Sequence, residues 1–225
     1  MAIIYLIRHG QASFGKADYD QLSEKGTLQA QMLGKFWQSH PTPDKIFSGD
    51  LLRHEQTLEN FFQGYQGDKP AKIIHSGFNE FNHVELLTRY DAGWKNFADM
   101  AKIIAQQPDA NKVFQREFSL ALKRWVSGLH DDEYHESWPQ FKKRCVTALQ
   151  AVSQQIIGAT KTLNNAKPSK EICIFTSGGT ISVIVQHILG LSDQNTLAII
   201  QQLRNTSVTK LLCSKNNLSL DYLNK

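Results

Sequence analysis

The chain has 225 residues, 41% hydrophobic and 20% charged, which suits one compact α/β core with room for a small lid and argues against disorder. Its 25 Lys and Arg against 21 Asp and Glu leave a formal charge of +4, too small an excess to name a partner. The longest basic run, Lys142-Lys143-Arg144, falls on a helical pattern as a solvated face, no basic stripe marks a nucleic-acid reader, and no stretch approaches the ~18 apolar residues of a membrane span.

Ile3 to Ile7 is a nearly continuous apolar run, which predicts a strand buried on both faces. It lacks a basic leader and a small-residue cleavage site, so no signal peptide is expected and the expected location is the cytoplasm. Residues 10–22 read as a loop with Gly10, Gly15, Asp18 and Asp20. Ser23 is placed to N-cap a helix with Ala30, Leu33 and Trp37 on one face, ending before Pro41 and Pro43. Lys45-Ile46-Phe47-Ser48 predicts a second strand, and Asp50 is expected to cap a helix with Leu51, Leu58 and Phe62 on one face. Ile73-Ile74 marks a third strand, ending near Phe78-Asn79-Glu80-Phe81. This β-α-β-α-β order is the signature of a parallel sheet covered by helices.

From about 84 to 135 the pattern changes. Phe114, Phe118, Leu122, Trp125 and Leu129 form a helical stripe, preceded by a short helix around Trp94 and Phe97. The stretch is expected to be a helical cap inserted into a single domain spanning 1–225, too short for its own core, with the stripe serving packing. After Trp138-Pro139 a long helix carries Phe141, Cys145, Ala148 and Val152 on one face. A polar linker from Thr162 to Lys170 leads to the inner-strand run Ile172-Cys173-Ile174-Phe175. Ser177-Gly178-Gly179 then turns into a helix with Ile181, Ile184, Val185 and Ile188, closed by Gly190. Two or three strands are expected near 198–203, 207–213 and 219–223. Cys145, Cys173 and Cys213 lie far apart in apolar surroundings, as free thiols of a reducing compartment do. No Cys-x-x-Cys or His-x-x-x-His pair suggests a metal site.

Arg8-His9-Gly10-Gln11 ends the first strand, at the edge where loops line ligand crevices in open α/β sheets. Gly10 is expected to leave room for a substrate beside His9. Arg53 falls in the first turn of the helix after the second strand, on the same edge. Two arginines converging on one histidine make sense around an anion, and a phosphate dianion matches the forked donors of guanidinium. The Ser177-Gly178-Gly179 turn adds backbone N–H donors from a third loop, and Glu80 is a fourth converging position.

These stretches, together with Leu22-Ser23-Glu24-Lys25-Gly26, Gln56-Thr57 and Asn79-Glu80-Phe81, resemble the histidine phosphatase superfamily, which also contains the cofactor-dependent phosphoglycerate mutases. The resemblance implies a three-layer α/β/α fold with a mostly parallel central sheet. It implies His9 as nucleophile, forming a phosphohistidine while Arg8 and Arg53 hold the equatorial oxygens. Glu80 would protonate the leaving oxygen and then activate water, with Glu85, further along the chain, as a rival acid. Ser177 and Gly178 complete the phosphate site, and no metal or organic cofactor is expected.

One position departs from the family. Ser177 stands where the pocket's second histidine would be, and a hydroxyl donates one hydrogen bond without adding charge. Losing such a donor costs on the order of 10²–10³ in rate. His83 and His54 are candidates to compensate, each reading first as a surface or packing residue. The leading expectation is a hydrolase of a small phosphorylated molecule, with neither nucleic acid nor membrane as partner and the cap choosing the substrate. The alternatives are a pseudophosphatase that binds a phosphorylated ligand or protein without turnover, and a mutase-type phosphotransferase.

Overall fold

The computed structural model describes residues 2–13, 20–94, 96–159, 170–214 and 217–225. Its elements are β1 (Ala2–Arg8), α1 (Glu24–Trp37), β2 (Lys45–Ser48), α2 (Leu52–Gly64), β3 (Lys72–Ile74), α3 (His83–Tyr90), α4 (Phe97–Ala105) and α5 (Ala110–Val126). They continue with α6 (Trp138–Ala159), β4 (Lys170–Thr176), α7 (Gly178–Leu189), α8 (Asp193–Gln202), β5 (Val208–Cys213) and β6 (Leu218–Tyr222). The chain forms two compact units, one of Met1–Glu80 with Arg144–Lys225 and one of Phe81–Lys143.

In the first unit the sheet runs β3-β2-β4-β1-β5-β6. Strands β1 to β4 are parallel to one another, while β5 runs antiparallel to β1 and β6 antiparallel to β5. The period of two along β1 divides its side chains between two cores. Ile4 and Leu6 join Ala148, Leu149 and Val152 of α6 and Ile181, Ile184 and Val185 of α7 on one face. Tyr5 and Ile7 join Leu33 and Trp37 of α1 and Leu58 and Phe61 of α2 on the other. Helices on both faces make the three-layer α/β/α architecture, and burial on both faces explains why β1 reads as an unbroken apolar run. The helix starts and stops follow local chemistry. Ser23 Oγ accepts from the Gly26 N–H at 3.1 Å to begin α1, and Gly190, in the left-handed region at φ 63°, ends α7.

Several sequence expectations are corrected. Asp50 does not cap α2: it lies one residue before the N-cap position, Leu51, and its backbone N–H goes to Asn79 Oδ1 at 2.9 Å. The cap comes from the distant Asp20, whose Oδ2 accepts from the Leu52 N–H at 2.7 Å. On α2 the fully buried ring is Phe61, and Phe62 is half-buried. Glu80 does not end a strand, because a 3-10 turn at Ser76–Phe78 separates it from β3. Residues 198–203 are the end of α8 and the residue after it, since Ser192 Oγ accepts from the Asn195 N–H at 3.2 Å and starts a helix there. Leu129 lies beyond α5 and is 82% exposed. Gly15, Asp18 and the linker from Thr162 as far as residue 169 lie outside the described residues.

The second unit holds α3, α4, α5 and the start of α6. It is wider at both ends than the stretch of about 84–135 expected as the cap, and it carries an aromatic cluster of which Trp125 alone lies within those bounds. Phe81 and Trp138 lie with ring centroids 5.1 Å from Trp125, and Phe141 lies 5.6 Å from Phe81. Four large rings bury much apolar area from few residues, and the Trp125 Nε1–H is satisfied by the Glu136 carbonyl at 2.9 Å. No helix among the described residues is long and apolar enough to cross a membrane.

Candidate active site

The site is built where β1, β2 and β4 end. The ladder between β1 and β4 continues one step past Arg8, the His9 N–H donating to the Thr176 carbonyl at 2.9 Å. From the other side the Thr206 N–H donates to the Arg8 and His9 carbonyls at 3.1 and 3.2 Å, which fixes the backbone of both residues. The His9 ring is buried, with Nδ1 2.6 Å from the Gly10 carbonyl oxygen. A carbonyl only accepts, so the ring hydrogen sits on Nδ1 and Nε2 carries the lone pair. Burial, reinforced by the Arg53 and Arg8 guanidiniums and by His54, pushes the His9 pKa well below its ordinary value and keeps the imidazole neutral.

Gly10 has a different reason from the one expected. A Cβ there would stand 2.5 Å from the Gly26 carbonyl oxygen, so the missing side chain admits the first turn of α1 rather than a substrate. The Gly10 N–H donates to Thr57 Oγ1 at 3.0 Å, and that hydroxyl donates in turn to the Arg53 carbonyl at 2.6 Å. These bonds tie the His9 loop to α2.

Arg53 is 5% exposed and its Nη1 pairs with Asp20 Oδ1 at 2.5 Å. Asp20 therefore both caps α2 and aims the guanidinium that α2 carries. Arg8 donates from Nη1 to the Leu203 carbonyl. Gly178, the first residue of α7, lies against Arg8, and a Cβ on it would approach Arg8 Nε to 3.3 Å. Its backbone N–H is one of the first-turn donors that a helix leaves without an internal acceptor. The next donor is already committed, since the Gly179 N–H donates to Glu80 Oε2 at 3.0 Å.

That bond sets Glu80 beside the Ser177-Gly178-Gly179 turn, and the segment before it is held from three sides. Thr176 Oγ1 donates to the Phe78 carbonyl at 2.6 Å and Thr180 Oγ1 to the Asn79 carbonyl at 3.0 Å. Arg144 Nη1 reaches the carbonyls of Ser76, Gly77 and Asn79 at 3.1, 3.2 and 3.0 Å. Glu85 belongs to the second unit, where its Oε1 accepts from the His135 N–H at 3.0 Å and meets His135 Nδ1 at 2.6 Å. His83 also lies in that unit.

Ser177 is fully buried at the N-cap of α7, and its Oγ lies 2.6 Å from Nε2 of His54, which is also fully buried. The His54 ring centroid is 5.8 Å from that of His9. Burial, then Arg53, keeps His54 well below its ordinary pKa. The structure thus brings Arg8, His9, Arg53, Glu80, Ser177 and Gly178 into one unit and adds His54, Asp20 and Thr57 to them. Thr57 belongs to the Gln56-Thr57 motif, and His54 follows Arg53 directly, but no local pattern marks Asp20 or Arg144. Among the described residues no group of three or more His, Cys, Asp or Glu is arranged to hold a metal ion.

No curated protein matches this chain. Solved structures resemble it along its whole length. A phosphoglycerate mutase from Bacillus anthracis str. Sterne superposes with a TM-score of 0.65 at 16% identity, covering 100% of this chain and 93% of that one. A mycobacterial glucosyl-3-phosphoglycerate phosphatase gives 0.63 at 19% identity, with 100% and 99% covered. A mutant phosphoserine phosphatase from Entamoeba histolytica, in complex with phosphoserine, gives 0.61 at 18% identity, with 100% and 98% covered. At these identities the likeness is one of fold. The family model described as "Histidine phosphatase superfamily (branch 1)" matches residues 4–112 and 110–225, and the chain belongs to that superfamily.

Proposed function

We propose that this protein hydrolyses phosphomonoesters through a phosphohistidine on His9. The observation that carries the reading is the state of His9: a buried, neutral imidazole, hydrogen-bonded through Nδ1, under the charge of two arginines. Two guanidiniums that destabilise an imidazolium stabilise a phosphoryl dianion in the same place, so the charge arrangement favours bound substrate over empty pocket. His9 Nε2 attacks phosphorus and the ester P–O bond breaks, while Arg8 and Arg53 neutralise the phosphoryl oxygens and the Ser177 hydroxyl and Gly178 N–H donate hydrogen bonds to them. Glu80 gives its proton to the leaving oxygen. In the second half it takes a proton from the water that attacks phosphorus, the N–P bond breaks, and phosphate leaves.

A small phosphorylated molecule is the proposed substrate class. The buried free thiols of Cys145, Cys173 and Cys213 support a cytoplasmic location. The reading as a binder without turnover draws on Ser177 alone, and the imidazole behind that serine favours turnover. The test is phosphate release from a panel of phosphomonoesters. Wild type is expected to turn over at least one, and His9→Ala to lose at least about 10³-fold. Equal turnover by His9→Ala would sink the mechanism, and ester binding without release would establish the binder.

A further inference from the structure

We propose that His54 is a positioning residue for Ser177, and that the two together fill the role of the histidine Ser177 replaces. The inference rests on the phosphatase reading above and says how the Ser177 hydroxyl is fixed as a donor to this pocket.

Three observations carry it. Both side chains are fully buried and share a 2.6 Å hydrogen bond across 123 positions of sequence. The Ser177 hydroxyl occupies a helix N-cap position yet makes no capping bond, unlike Ser23 and Ser192, whose hydroxyl oxygens accept from their helices. Its usual partner is set aside for His54. Finally, His54 Nδ1 is buried with no hydrogen-bond partner among the described residues. It lies against Gly49, where a Cβ would come within 2.4 Å of it.

The third observation decides the direction of the bond. A buried N–H without an acceptor is rarer and costlier than a buried lone pair, so the hydrogen of the neutral ring sits on Nε2 and Nδ1 carries the lone pair. Nε2–H then donates to Ser177 Oγ. With its oxygen accepting from His54, the hydroxyl must direct its own hydrogen elsewhere. Its chain neighbours flank the proposed phosphoryl site: Thr176 holds the backbone of His9 and Gly178 lies against Arg8. A hydroxyl polarised by the imidazole and turned toward that space is a fixed donor to a phosphoryl oxygen, pre-oriented before substrate arrives. Gly49 is part of the device, since any side chain there would displace the ring.

The test is a double-mutant cycle with p-nitrophenyl phosphate as substrate and, in parallel, the Kd of inorganic phosphate. Ser177→Ala and His54→Ala are each expected to lower kcat by about 10²-fold with little change in KM, and their combination to be no slower than the slower single variant. His54→Gln, whose amide can donate from the place of Nε2, is expected to stay within about tenfold of wild type, a rescue that a merely space-filling role would not require to be a donor. Losses that multiply in the double variant, or a His54→Gln enzyme as slow as His54→Ala, would overturn the proposal. If wild type releases no phosphate from any ester, the hydrolase reading fails by itself. The same variants then decide the couple through phosphate Kd: a shared, non-additive weakening supports it and independent effects refute it.

Discussion

Burial strips an imidazolium of its hydration, and beside His9 two guanidiniums add repulsion to that loss, so the ring stays neutral, with Nδ1 held at the Gly10 carbonyl. The same logic at His54 makes a neutral ring that serves as a hydrogen-bond donor rather than a charge. Space around the couple is exhausted, since Ser177 and His54 are both fully buried and in contact. A Ser177→His substitution, which the sequence alone would recommend as a gain, is therefore expected to drive its ring into His54 and lower kcat. Paired with His54→Ala it regains room, and the Ser177→His/His54→Ala enzyme is expected to exceed His54→Ala by at least about tenfold in kcat. A faster Ser177→His single variant would show that the site has space the structure denies it.

At the level of elements, the motif loops are positioned by close backbone contact and by side chains borrowed from far along the chain. Gly10 lets α1 approach the His9 loop, so Gly10→Ala is expected to force the two apart and destabilise the fold by about 1–3 kcal/mol, read by urea unfolding. An unchanged midpoint would contradict that close approach. The elements legible in the sequence were those with a strong local period: α1 with its Ser23 cap, β2, β4 and α6 with Phe141, Cys145, Ala148 and Val152 on its buried face. The end of α8 misled because Ala198-Ile199-Ile200 is a short apolar run that helix and strand share. Asp20 as the cap of α2, and Arg144 as the clamp on the segment leading to Glu80, were illegible because each acts on a residue more than thirty positions away. Such partners are set by tertiary structure and leave no periodic trace.

For the whole molecule, the two buried neutral histidines link stability to pH. In the unfolded chain each takes up a proton near the ordinary value of 6.5, and in the folded chain neither does until lower pH. The unfolded state thus binds more protons below that value, so stability is full above about pH 6.5 and declines as pH falls, by up to about 1.4 kcal/mol per pH unit for each histidine. Thermal unfolding in phosphate-free buffer is expected to show Tm dropping from about pH 6.5 downward, with a shallower slope in His54→Gln. A slope identical in the two proteins would mean that His54 is not held neutral by the fold.

The architecture was readable because the sheet strands and their covering helices carry strong local signatures, and the positions proposed to meet phosphate were nameable because each sits in a short segment with a signature of its own. The aromatic core of the second unit was not, because ring clusters depend on which helices meet. The central claim is that His9 carries the phosphoryl group between ester and water. Rapid acid-free quenching of wild type mixed with a turned-over phosphomonoester, followed by peptide mass analysis, should find one phosphoryl group on the His9 peptide, none in His9→Ala, and decay of that species at the rate of phosphate release. Turnover with no phosphorylated His9, or with the phosphoryl group on another residue, would contradict the account.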